Sequence, residues 1–205
     1  MKRSSECYYF CQFINLLNFN IQSFFSIFFF MMGVLSRDEI KKYLDEKKLI
    51  IEPFDQKNVG TASVDLTLSD EFRYFIHHNG PVPISDEAGA KDYQKFSRVL
   101  KLEEGKPYYL APGQMCLGIT REKVTLPSNI CALVEGRSRF ARLGLSVHIT
   151  ASLINPGTNN QTVLEIFNAS SLTLALHPGT KVCQMIFMTM EGQAEYSGTF
   201  QEQAL

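Results

Sequence analysis

TVLEIFNASSLTLALHPGTKVCQMIFM, Thr162 to Met188, is the stretch on which the fold turns. Thr162–Asn168, Leu172–Leu176 and Val182–Met188 are apolar runs of strand length. Between the last two stands Pro178-Gly179, where Pro presets the first corner of a tight turn and Gly permits positive φ at the second. Toward the N-terminus the pattern repeats in Met115–Thr120, Ile130–Val134 and Val147–Leu153, punctuated by Pro112-Gly113 and Pro156-Gly157. Many short strands at this spacing predict an all-β protein, a β-sandwich or closed barrel.

The helical exception comes early. Ser36 can cap a helix, Glu39 three residues on completes a capping box, and Ile40, Tyr43 and Leu44 form one apolar stripe, so a short helix is expected from Ser36 to about Lys48. Pro81 to Ser97, rich in Asp, Gly, Ala and Lys, reads as an exposed insertion. A chain of 205 residues is filled by one domain, taken as residues 32–205. Residues 1–31 differ in composition: no charge occurs between Glu6 and Arg37, and half of the 16 phenylalanines lie here. Lys2 and Arg3 before the apolar run Phe24 to Met32 suit a targeting or membrane segment, but Gln12, Asn15, Asn18, Asn20, Gln22 and Ser23 interrupt it. Translated upstream sequence, with Met31 or Met32 as the native start, and an ordered extension are the other readings.

The charges exclude some partners. Twenty Lys and Arg against 21 Asp and Glu give no basic field for a nucleic-acid polymer or an anionic bilayer, and a membrane partner is expected only if the leader is retained. A small anionic ligand needs only a local cluster of donors. Cys7, Cys11, Cys116, Cys131 and Cys183 are odd in number and set in apolar surroundings, which suits reduced, buried thiols and a cytoplasmic location. No Cys-x-x-Cys occurs, and adjacent His77 and His78 would point to opposite faces of a strand, so no protein-held metal is expected.

Two constellations could carry chemistry. Glu135 to Leu145, EGRSRFARLGL, has helix punctuation: Ser138 as N-cap and Gly144 as the left-handed terminator. A short helix there would aim free amides and the side chains of Arg137, Ser138 and Arg139 at one volume, the way proteins bind phosphate; a solvated surface turn is the alternative. Glu165 is flanked by Leu164 and Ile166 on one face of its run and accompanied by Val163 and Phe167 on its own. A strand apolar on both faces is expected to be buried, and a carboxylate held there is suited to proton transfer; structural pairing with Arg137 or Arg142 is the alternative.

EGRSRFARLGLSVHITASLINPG (135–157) followed by TVLEIFN (162–168) resembles the central signature of dCTP deaminases, members of the trimeric dUTPase-like superfamily. MGVLSRDEIKKYLDE, GTASVDLTL, LAPGQMCLGITREKVTLPSNICALV, HPGTKVCQM and EYSGTFQEQ extend the resemblance from Met32 to Gln203. It implies a distorted β-barrel or jelly-roll of the dUTPase-like type with a short N-terminal helix, assembled as a homotrimer with active sites shared between subunits. The implied activity is hydrolytic deamination of dCTP to dUTP and ammonia, without zinc; a zinc deaminase would need a His-x-Glu and a Pro-Cys-x-x-Cys that are absent here. By position, Glu165 takes a proton from the water attacking C4 and passes it to the leaving amine, while Ser138 and Arg142 orient that water. Backbone groups of Ile149, Thr150 and Ala151 read the base. Arg137 and Arg139 with the Ser138 turn hold the triphosphate, with Mg2+ carried by the phosphates, and Tyr196 and Gln203 belong to a segment closing over the nucleotide. Feedback inhibition by thymidine triphosphate occurs in part of the family.

The chain departs from the family at Asn155, Thr158 and Asn160, where an aspartate, an aromatic and a glycine are usual. The aspartate and aromatic hold the deoxyribose, so Asn155 implies weaker sugar recognition and argues against the diphosphate release that the equivalent aspartate supports in dUTPases. Thr199 replaces a lysine directed at the triphosphate, implying weaker closure. A bifunctional or dUTPase-like pyrophosphatase and a non-catalytic nucleotide-binding relative remain the competing functions.

Overall fold

The computed structural model describes residues 33–85, 92–198 and 205. The leader, Cys7, Cys11, Thr199 and Gln203 lie outside the described residues. Helix α1 spans Arg37–Asp45; Ser36 caps it, its Oγ accepting the Glu39 N–H at 3.5 Å. Glu39 turns its carboxylate to Lys42, 3.6 Å away, the i,i+3 neighbour on the same helix face. The helix stops three residues before Lys48, because Lys47 adopts φ 54° and reverses the chain. Ile40 is fully buried, with Tyr43 and Leu44 packed partly against the core as the stripe requires.

The rest is β. Strands β1 (Ile50–Glu52), β2 (Val64–Phe75), β3 (Ser97–Lys101), β4 (Tyr108–Leu110), β5 (Met115–Thr125), β6 (Ile130–Gly136), β7 (Leu145–Ser146), β8 (Leu153–Ile154), β9 (Asn159–Asn168), β10 (Leu174–Leu176) and β11 (Lys181–Thr189) follow one another, with a one-turn helix α2 (Ser138–Ala141) between β6 and β7. Among the described residues, the main sheet runs β7-β9-β5-β2-β11-β6-β8, with β1 on β5 and β3 on β2; β4 and β10 form a separate ribbon. All pairings are antiparallel. β2 pairs with β11 through Val64–Thr67 and with β5 from Leu68 onward, with a register shift between Leu68 and Phe72. Such a bulge bends its strand, and this one curls the sheet around the core. Pro112-Gly113, Pro156-Gly157 and Pro178-Gly179 are turns with glycine φ of 72°, 75° and 85°.

The concave face carries Val64, Leu66, Phe72, Val134, Leu164, Ile166, Met185 and Phe187, each 2 % exposed or less. Phe72 stacks on Tyr108 at 4.7 Å with the rings 9° from parallel, and burial of a side chain of this size stabilises by about 1.5–3 kcal/mol. Cys116 and Cys183 are fully buried free thiols, both pushed up to about 12 chiefly by burial. They are protonated at neutral pH and are poor nucleophiles. Pro81 to Ser85 are exposed, as expected of an insertion, but Ser97 is buried and opens β3. Among the described residues, no helix is long and apolar enough to cross a membrane.

Two expectations need correction. Val147–Leu153 is not one strand: β7 ends at Ser146, β8 starts at Leu153, and residues 147–152 form a loop whose polar groups bond elsewhere. The Ser146 hydroxyl donates to the His148 carbonyl, and the Ser152 carbonyl accepts the Val134 N–H at 2.9 Å. Nor is β9 buried on both faces. It alternates strictly, with Asn160, Thr162, Leu164, Ile166 and Asn168 buried and Gln161, Val163, Glu165 and Phe167 half-buried. The apolar residues flanking Glu165 fill the core on one side of the sheet only.

Candidate active site

The signature segment forms a wall through hydrogen bonds reaching across three strands. Asp65, Gln184 and Glu135 stand directly opposite one another on β2, β11 and β6, which puts them on one face of the sheet. The Ser63 hydroxyl donates to Gln184 Oε1 at 2.8 Å, and Gln184 Nε2 donates to the Gly136 carbonyl at 3.1 Å. The Arg137 guanidinium pairs with Asp65 at 3.0 Å and donates to the Lys181 carbonyl at 2.9 Å. Ser63, Asp65, Arg137 and Gln184 line a cavity of about 630 Å³ together with Ser138 and Arg139. Arg139 forms no ion pair among the described residues; its guanidinium lies 5.1 Å from the Phe140 ring centre.

The N-cap assignment shifts by one residue. Arg137 occupies the N-cap position without a side-chain capping bond, and Ser138 is the first helical residue and lines the cavity. With α2 only four residues long, the donors here are side chains more than a helix terminus. Gly144, at φ 83°, ends the segment as expected. Arg142 is exposed at the C-cap and does not line the cavity.

Glu165 lies elsewhere in the chain's geometry. It sits opposite Leu117 on β5, which sits opposite Arg73 on β2, all on the outer face. Its Oε2 accepts the Ile149 N–H at 2.9 Å, so the loop expected to read the base and the catalytic candidate are joined directly, and neither Arg137 nor Arg142 is its partner. Ile149, Thr150 and Ala151 are exposed around it. The same loop is tethered on its other side, where His148 Nε2 lies 3.5 Å from Glu135 Oε2.

A third group surrounds Asn155. The Tyr196 N–H donates to the Pro156 carbonyl at 3.1 Å, and the Ala194 N–H donates to the Ser128 carbonyl at 2.9 Å, so the C-terminal segment runs along the Asn155–Gly157 turn. Thr158 is 7 % exposed, and its hydroxyl donates to the Asn155 carbonyl at 2.7 Å, closing the turn.

This arrangement can be compared with known proteins. A family model described as dCTP deaminase-like matches residues 34–190. The chain belongs to the dCTP deaminase-like family. A relative from Methanosphaera stadtmanae named "dCTP deaminase, dUMP-forming" is 41 % identical over 80 % of this chain and 83 % of its own length. One from a Marinomonas species, named "dCTP deaminase", is 42 % identical over 80 % of this chain and 87 % of its own. The crystal structure of 2'-deoxycytidine 5'-triphosphate deaminase from Agrobacterium tumefaciens superposes with a TM-score of 0.60 at 21 % identity, covering 77 % of this chain and 49 % of that one, a likeness of fold.

Within the family's span, sequence reasoning named Arg137, Ser138 and Arg139 but missed Asp65, which pairs with Arg137, and Gln184, which lines the same cavity. Asp65 and Gln184 are polar residues inside the apolar runs VDL and VCQMIF, the signal used for Glu165, and the same test applied to them would have found both. Among the described residues, no three His, Cys, Asp or Glu side chains are grouped so as to hold a metal. The cavity's donors suit phosphate oxygens, whose own charge can carry a cation.

Proposed function

We propose that the protein hydrolyses the 4-amino group of dCTP, giving dUTP and ammonia. The observation that carries this is Glu165, a carboxylate on the half-open face of β9 with one oxygen fixed by the Ile149 N–H. An ionised carboxylate so held keeps lone pairs free to take a proton from water as the water oxygen bonds to C4. The amine then leaves with that proton as ammonia, the second hydrogen of the water ends on N3 of the ring, and the C4 carbonyl forms. Ser138 and Arg142 orient the water, backbone groups of Ile149 to Ala151 read the base, and Arg137 and Arg139 bind phosphate. Asn155 takes the sugar, and Tyr196 and Gln203 belong to the closing segment.

Glu165 is not among the residues lining the cavity of Arg137 and Ser138, which supports a site completed between subunits. Val163 and Phe167 stay half-exposed beside Glu165, apolar surface that a second copy would cover. A homotrimer with three shared sites is the assembly we assign, working in the cytoplasm. Mg2+ accompanies the triphosphate and neutralises part of its charge, and zinc takes no part in the reaction.

Asn155 is the reason for naming dUTP as the product, although relatives named dUMP-forming are similar to this chain. An amide has no basic oxygen to activate water at a phosphate. Separating the nucleotides formed from dCTP tests this: dUTP with ammonia is expected, while dUMP with diphosphate would establish a bifunctional enzyme and binding without turnover a non-catalytic relative. In the same assay a zinc-selective chelator should leave the rate unchanged, whereas removing Mg2+ should raise the KM for dCTP. Restoration of a lost rate by zinc alone would overturn the metal assignment.

A further inference from the structure

We propose that Asp65 is a positioning residue that holds the Arg137 guanidinium as a fixed, partly neutralised donor to the nucleotide phosphates. This rests on the reading of Arg137 as a phosphate-binding residue. The geometry is directional. Of the five N–H groups of a guanidinium, one donates to Asp65 and one to the Lys181 carbonyl, from the N-terminal part of β2 and the first residue of β11. The plane of the fork is thereby set by two partners on different strands, and the remaining N–H groups keep one orientation. Both side chains of the pair are mostly shielded, at 26 % and 22 % exposure, so the pairing is little weakened by solvent.

The contrast within the cavity gives Asp65 its role. Arg137 and Arg139 line the same space, but Arg139 is exposed, has only the Phe140 ring beside it, and forms no ion pair among the described residues. One arginine is held with its charge partly offset by a carboxylate, and the other is exposed with no carboxylate paired to it among the described residues. Preorganisation removes the ordering cost of a long side chain when phosphate arrives. The next polar groups on the wall, Ser63 and Gln184, are already satisfied by each other and by Gly136, so Asp65 is the side chain that, with the Lys181 carbonyl, sets where the guanidinium points.

The test is Asp65→Asn in the full chain, alone and combined with Arg137→Gln, with KM and kcat for dCTP measured with Mg2+ and binding measured for both dCTP and deoxycytidine. With Asp65→Asn we expect the KM for dCTP to rise about tenfold with kcat within about threefold, and deoxycytidine binding unchanged. In the Arg137→Gln background, Asp65→Asn should change KM no further, because its effect passes through the guanidinium. Equal losses for nucleotide and nucleoside, or additive losses in the double variant, would mean a merely structural pair and overturn the proposal. Should Asp65→Asn fail to fold, Asp65→Glu carries the comparison: the added methylene displaces carboxylate and guanidinium together, and an unchanged KM for dCTP would overturn the proposal. A wild-type protein that neither binds nor deaminates dCTP would sink the underlying function instead, an outcome distinct from a working enzyme indifferent to Asp65.

Discussion

Glu165→Gln is expected to lower kcat for dCTP by on the order of a thousandfold while leaving nucleotide affinity close to that of the wild type. The glutamine side chain has the same shape, and its carbonyl oxygen can still accept the Ile149 N–H that Glu165 Oε2 accepts at 2.9 Å. Loop 147–152 therefore keeps its tether, and base recognition through that loop survives. What is lost is the ability to receive a proton, since an amide oxygen is a far weaker base than a carboxylate. Glu165→Ala removes the tether as well and should lose affinity in addition to rate. Measuring kcat and Kd for both variants separates proton transfer from loop positioning. Retention of more than about a tenth of the wild-type kcat by Glu165→Gln would place the general base on another residue.

The reach of the sequence is visible in these residues. Alternation and the Pro-Gly turns were sufficient for β5, β6, β9, β10 and β11 because each is set by a few neighbouring residues, whereas the short strands β1, β3 and β4 carry no such pattern. The loop at 147–152 escaped the same reasoning: VHITASL alternates like a strand, but β7 leaves β9 after Ser146 and the backbone bonds of the loop go to Glu165 and Val134. Glu165 was found as a polar residue in an apolar run, yet the openness of its face depends on what covers the outer side of the sheet, a tertiary property. The cavity was half legible. Arg137, Ser138 and Arg139 are contiguous in sequence, whereas Asp65 and Gln184 reach them only through the registers of β2, β11 and β6. Register is fixed by the whole core, and local pattern does not reveal it.

Gly144→Ala is expected to destabilise the fold by about 3 kcal/mol, roughly 10 °C in Tm, and to impair turnover in proportion to the unfolded or rearranged fraction. At φ 83° an L-residue is strained, which accounts for about 1–2 kcal/mol. A Cβ there would lie 2.7 Å from Ser170 Cβ and 2.8 Å from Ser170 N, so relief requires backbone to move. Ser170 is not free to retreat. The fully buried Asn168 accepts its N–H at 3.0 Å and its hydroxyl at 2.8 Å, while donating to the Leu110 and Leu172 carbonyls at 3.0 and 2.7 Å. The Ala169 N–H also donates to the Gly144 carbonyl at 2.8 Å, locking the end of the signature segment against the β9–β10 turn. Gly113→Ala is the control: φ is 72°, and a Cβ there meets nothing within 4 Å. It should show the conformational strain alone, about 1–2 kcal/mol. Thermal melts of the two variants therefore isolate the contact with Ser170. If both melt at the same temperature, the Gly144–Ser170 approach yields readily and the segment carrying Arg137 to Arg142 is not held from that side.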